Sequence, residues 1–241
     1  MTRLASLACI LALCAVLAPS CVTSGRTRVS IPVHGAGTGV RTFAVGDFTI
    51  TLEEARIAWG PAYFCTTAFA DVDLCPTALA EVRSAATIDA LDETPQFIGE
   101  LNGISGTVRS AMYDYGITWL LPSTSAHADQ GAVDGAHSAR FTGSAESAGL
   151  ITRFVLEVDM MPLHSGVSAA HGVPTMHTLR EGPDALVVRF DPSAILADAD
   201  FSGLASIGGD PVVIPESSVI YQAVVIGLSS SAHPTLEWAT P

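Results

Sequence analysis

Lysine is absent from this 241-residue chain: its 11 basic residues are all arginine and stand against 24 acids, for a net charge of -13. Without lysine there is no Walker phosphate loop, no Schiff base and no polybasic membrane patch. The one-signed charge also excludes the basic footprint by which nucleic acid is bound. Charged residues of either sign are scarce, at 15% of the chain, where soluble proteins average about 25%. Hydrophobic residues make up 49%, so the composition is neither that of a disordered tail nor that of an ordinary cytosolic surface. Internal repeats, charge blocks and a Gly-x-Ser-x-Gly nucleophile elbow are missing too; Gly166, Val167, Ser168, Ala169, Ala170 lacks the final glycine.

The N-terminus supplies an address. Met1, Thr2 and Arg3 precede an apolar stretch from Leu4 to Leu17, followed by Ala18, Pro19, Ser20 and Cys21. A short positive region, an apolar region and a small-residue exit have the order of a secretory signal peptide. The stretch holds 14 residues, short of the ~20 that a spanning helix needs. Residues 1–20 therefore read as a signal that is removed, which takes Arg3 and no acid and leaves 10 arginines, 24 acids and a charge of -14.

A cysteine directly after the small residues resembles the lipobox of bacterial lipoproteins, with Ala18 and Pro19 where that family prefers Leu and a small residue. The resemblance covers about the first 25 residues. It implies an extracytoplasmic lipoprotein of a high-GC bacterium, facing the periplasm or the cell surface, with Cys21 diacylated as the first mature residue. It implies no activity. Several acyl chains, at about 0.8 kcal/mol per buried methylene, would hold such a protein on a membrane without a basic patch. Ordinary cleavage after Ser20 is the other course, and would leave Cys21 free and the protein secreted.

Cysteine arithmetic agrees with the lipoprotein reading. Cys9 and Cys14 leave with the signal, so Cys21, Cys65 and Cys75 remain, an odd number for an oxidising compartment. Lipidation of Cys21 removes the odd thiol. Cys65 and Cys75 can then bridge a loop from Thr66 to Leu74, worth about 2.5 to 3 kcal/mol on a loop-entropy account. Two reduced thiols, or half of a metal site, are the alternatives.

Beyond Cys21 the residues to Gly39, ending in Gly35, Ala36, Gly37, Thr38, Gly39, read as a flexible tether (residues 21–39). Residues 40–241 read as one domain. Short β-type segments punctuated by turn residues run over Phe48 to Leu52, Ala55 to Cys65, Ala86 to Leu91, Gly106 to Leu121, His137 to Thr142, Leu150 to Met160, Ala185 to Phe190 and Thr235 to Ala239. Asp191 to Ala199 opens with Asp then Pro, a helix start, while Ser217 to Leu228 suits either a capped helix or a β-branched strand. Many short strands, few helices and one disulfide predict a mainly β fold, a single β-sandwich with one or two short helices.

Two site hypotheses arise from side-chain chemistry. Met160, Met161, His164, His171, Met176 and His177 share a stretch that looks like a loop. Imidazole with thioether suits copper, and imidazole with Asp159 suits zinc; His164, His171, His177 and Met176 are the candidate ligands. His127 and His137, with Asp129 and Asp134, form a second group able to join the first. The plainer reading leaves Met160 and Met161 in the core and the histidines solvated. The second hypothesis is an aromatic ligand platform of Tyr113, Tyr115 and Trp119, against the commoner role of such residues in a strand core. Asp198 to Gly203 opens like a calcium loop but places Gly209 where the bidentate Glu belongs, so it reads as a turn.

Taken together, these features predict a non-enzymatic, membrane-anchored extracytoplasmic protein that binds a protein or small ligand. Copper or zinc handling is the alternative, and a hydrolase stands third.

Overall fold

A computed structural model describes residues 25–68, 75 and 78–239. The signal-like segment, Cys21 and the first residues after it lie outside the described residues. What is described is mainly β, with its strands in two large sheets around one core.

The first sheet has the order β13 (Ala170–Leu179), β8 (Gly106–Tyr113), β4 (Ala62–Cys65), β5 (Ala78–Val82), β7 (Gln96–Ile104), β1 (Arg28–Gly37), β14 (Ala185–Phe190), β16 (Thr235–Ala239). Its neighbours are antiparallel except β1 with β14. The second sheet runs β15 (Val212–Val213), β12 (Leu150–Val158), β11 (Ala139–Ser147), β3 (Phe48–Trp59), β2 (Thr42–Val45), and β6 (Ala86–Asp89) pairs with β3 beside that path; β9 (Ile117–Thr118) and β10 (His127–Ala128) pair separately as a two-stranded ribbon. Leu150 to Val158 shows how the sequence builds these layers: Phe154, Leu156 and Val158 are buried and alternate with less buried Val155 and Glu157, the period-2 pattern of a half-buried strand.

The two outer strands of the first sheet meet through side chains. Trp238 on β16 donates its indole N–H to Thr175 Oγ1 on β13 at 2.9 Å, and the His177 ring of β13 stacks on it at 4.2 Å and 5°. Phe64 of β4 meets the same indole edge-on at 5.8 Å. The sheet thereby curls into a near-barrel whose seam is closed by side chains rather than by a backbone ladder. His177 is fixed in turn by the buried carboxylate of Asp184, 3.1 Å from Nε2.

The tether reading is corrected from Arg28 onward, where the chain is the inner strand β1. Val29, Ile31 and Val33 point into the core while Arg28, Ser30 and Pro32 face out. The glycines that suggested flexibility mark the closest approach of β1 to the Ile88–Ala90 segment: a Cβ on Gly37 would lie 1.9 Å from the Ala90 carbonyl oxygen, and one on Gly35 2.5 Å from Ile88. Gly37→Ala is therefore expected to destabilise the fold by about 2 to 3 kcal/mol. Gly182→Ala, with open space around it, is expected to stay within about 0.5 kcal/mol. Urea unfolding of the two variants checks the contrast.

Helices are few and short. Ser218 caps Val219–Ile226 by accepting from the Tyr221 N–H at 3.1 Å, which settles Ser217 to Leu228 as helical. Asp191 caps Pro192–Ile195 through the Ser193 N–H at 2.9 Å. Asp200 caps the 3-10 turn Phe201–Gly203, so the calcium-like segment is a capped turn. Cys65 and Cys75 form a disulfide that packs with Met112 and Tyr63 apart from the main core. Among the described residues, no helix is long and apolar enough to cross a membrane.

Candidate functional site

The histidine stretch does not assemble as a metal site. His171, Met176 and His177 lie on β13 rather than on a loop, and the two histidines stand toward opposite ends of that strand. Met176 is exposed, His164 is an exposed loop residue, and the His177 ring is held between Asp184 and Trp238. Among the described residues, no three His, Cys, Asp or Glu side chains are grouped to hold a metal. The loop placement assumed for His171, His177 and Met176 is corrected accordingly.

The aromatic platform is corrected as well. Tyr113 and Tyr115 are fully buried and pack edge-to-face at 5.4 Å. Ser110 to Thr118 is buried throughout, because this stretch has packing on both faces. The Tyr115 hydroxyl donates to the Leu228 carbonyl at 2.6 Å, and the Tyr113 hydroxyl meets His233 Nδ1 at 3.1 Å. Burial raises both phenols above their ordinary range, as expected for groups that stay neutral. Trp119 is occupied separately, donating its indole N–H to the Ser123 carbonyl at 2.9 Å.

Of the second histidine group, His137 and Asp134 belong to an ion-pair network on the second sheet, while His127 is exposed and Asp129 accepts from the Gly131 N–H. Arg56 on β3 stands opposite Arg140 on β11, which stands opposite Glu157 on β12. Two guanidiniums on adjacent strands repel, and Asp134 holds both, contacting Arg56 at 2.9 and 3.0 Å and Arg140 at 3.0 Å. Glu54 contacts both as well. The Arg56 hydrogen bond holds the Asp134 carboxyl below its usual range. His137 lies between Asp159, 2.9 Å from Nδ1, and Glu157, 3.6 Å from Nε2. Asp159, placed by the sequence beside the first group, thus pairs with His137 of the second.

Asp159 also begins the segment that forms an apolar-lined concavity. The loop from Met160 to Ala169, the first residues of β13 and the helix Val219–Ile226 enclose a groove of about 500 Å³. Its apolar lining includes Met160, Met161, Val167 and Val225, and polar groups converge from Ser168, His171, Gln222 and Ser229. Apolar walls with a few convergent polar groups in several hundred Å³ are the usual make-up of a small-molecule site. A larger hollow of about 930 Å³ is lined by Arg28, Arg83, Glu81 and Glu181; Arg83 there pairs with Glu81 at 2.8 Å, and its mixed charges define no ligand. Exposed residues at the groove are both apolar, Met161 and Leu163, and polar, His171 and Gln222, and the adjoining helix also exposes Val219 and Ile226.

Beneath the groove lies Asp114, the acid this sequence conceals best. It follows β8 and is 1% exposed. Its backbone is tied to the β3–β4 junction, donating to the Pro61 carbonyl and accepting from the Gly60 N–H, both at 2.9 Å. Its carboxylate accepts from the Ala169 N–H at 2.8 Å, and so anchors the loop that forms one groove wall. Burial raises its pKa to about 6, against the opposing pull of Thr118 and the Ala169 N–H. Nearby, His233 is pushed down by burial first and by His171 second. The sequence signal was faint: an acid within the apolar, aromatic run Met112 to Tyr115.

Compared with models of known families, with curated proteins and with solved structures, the chain matches none.

Proposed function

We propose that the chain is a non-enzymatic binding protein of the cell envelope, anchored to a membrane through a lipidated Cys21, and that its groove takes a small apolar ligand that is neutral or cationic. The observation that carries the ligand reading is the apolar groove with polar groups from three separate segments converging on it. Its charge preference follows from the sequence and the lining. With no lysine, a charge of -13 and Asp159 at the groove's edge, the field repels anions. The anchor is supported by the signal-like N-terminus, and the Cys65–Cys75 bond is of a kind that oxidising compartments preserve.

Gln222 is exposed and lines the groove, so Gln222→Trp fills the space at little cost to the fold. With the neutral fluorophore N-phenyl-1-naphthylamine as probe, the wild-type groove is expected to bind and Gln222→Trp to lose at least about tenfold in affinity, or about 1.4 kcal/mol, with an unchanged Tm. Equal binding by both proteins would refute the site. For the anchor, Cys21→Ser is expected to lose the mass of the acyl chains in intact-mass analysis of the membrane fraction. An unchanged lipid content would refute lipidation.

A further inference from the structure

We infer that the ionisation of Asp114 controls the groove, holding its Ala169 wall in the binding position when the carboxylate is charged and releasing that wall when it is protonated. This rests on the groove being the ligand site. The geometry is that of a fixed post and a movable wall. The post is rigid because the Asp114 backbone is bonded on both sides to Gly60 and Pro61, at the junction between β3 and β4. The wall is the end of the Met160–Ala169 loop, where Ser168 and Ala169 face the groove. One side-chain bond joins the two, from the Ala169 N–H to Asp114 Oδ1 at 2.8 Å.

A hydrogen bond to a carboxylate is roughly twice as strong as one to a neutral acceptor, so protonation weakens this link and leaves the rest of the fold alone. Burial places that protonation at about pH 6, where a modest acidification changes the charge. The groups around Asp114 do not obscure it. Tyr63 on β4 feels its charge and is itself held neutral by burial, and Thr118 does not titrate. His171, two residues beyond Ala169, lines the same groove.

The test measures N-phenyl-1-naphthylamine affinity from pH 7.5 to pH 5, together with the Ala169 amide shift by NMR over the same range. Wild-type affinity is expected to fall by at least about threefold on acidification, in step with a shift of the Ala169 amide; about threefold is what one weakened hydrogen bond supplies. Asp114→Asn is expected to show the low-pH affinity throughout, with a flat Ala169 shift. In His171→Gln the step is expected to persist, whatever that variant's affinity. A step that disappears in His171→Gln, or an Ala169 amide that does not titrate, overturns the inference while leaving the groove in place. Absence of binding at every pH, with Ala169 titrating as expected, overturns the ligand site instead. The wild-type amide titration decides the matter even if Asp114→Asn does not fold.

Discussion

Asp114→Asn is expected to stabilise the protein at pH 7.5 by about 2 kcal/mol and to have almost no effect at pH 4. The folded pKa is about 6, above the ordinary value of 3.8. Between those two values the folded state keeps a proton that the unfolded state has lost. Stability therefore falls as pH rises through that window and levels off above about 6. A shift of this size corresponds to roughly 3 kcal/mol at 1.36 kcal/mol per unit. Asparagine keeps a carbonyl oxygen for the Ala169 N–H but adds an amide N–H₂ that needs its own acceptors, which lowers the expected gain to about 2 kcal/mol. Urea unfolding of both proteins at pH 4, 5, 6 and 7.5 checks it: the curves should nearly coincide at pH 4, separate up to about pH 6 and keep that separation at pH 7.5. A variant less stable than wild type at pH 7.5 would show that the charged carboxylate contributes more than its burial costs. A gain in stability coupled to a loss of groove binding is the trade-off expected of a residue kept for function.

The second large effect concerns the seam of the near-barrel. Trp238→Ala is expected to cost about 3 kcal/mol, within the usual range for truncating a packed aromatic. Three contacts go together: the stack on His177, the edge contact with Phe64 and the hydrogen bond to Thr175. The stack and the hydrogen bond join strands at opposite ends of an eight-stranded order, and the Phe64 contact reaches an inner strand, so the loss falls on closure of the sheet and not on one strand alone. Trp238→Phe keeps an aromatic ring on His177 and loses the hydrogen bond, and about 1 kcal/mol is expected. Denaturant midpoints of the two variants give the comparison. A cost below about 1 kcal/mol for Trp238→Ala would mean that the outer strands are held by something other than this seam.

Where the sequence was legible, the physical reason is alternation. Leu150 to Met160 and Ala185 to Phe190 carry β-branched and aromatic residues at period 2, and both are strands. The Asp-Pro start at 191 marked a real helix, while at Ser217 to Leu228, which suited helix or strand alike, the Ser218 cap marks the outcome as helix. Where it was opaque, small residues or bulges hid the pattern. β1 carries Pro32, Gly35 and Gly37, residues that read as a break but here sit at a close crossing of strands. β13 contains Gly172 and Pro174 and is interrupted by register shifts between Ala170 and Val173 and between Pro174 and His177. Its histidines therefore looked like loop residues free to converge. Tyr113 and Tyr115 show a further limit: composition cannot tell an aromatic in the core from one on a platform, and both hydroxyls found internal partners. The groove was half visible. Met160, Met161 and His171 drew attention by their chemistry, but the opposite wall comes from a helix about 50 residues further on, and only the fold brings the two together.

The central claim, a ligand groove between the Met160–Ala169 loop and the helix Val219–Ile226, is tested most directly by amide NMR during titration with N-phenyl-1-naphthylamine at pH 7.5. The account predicts saturable shift changes concentrated in residues 159–171 and 221–229, and their loss in Gln222→Trp. Saturable changes clustered around Arg28, Glu81 and Arg83, or no changes at all, would contradict it.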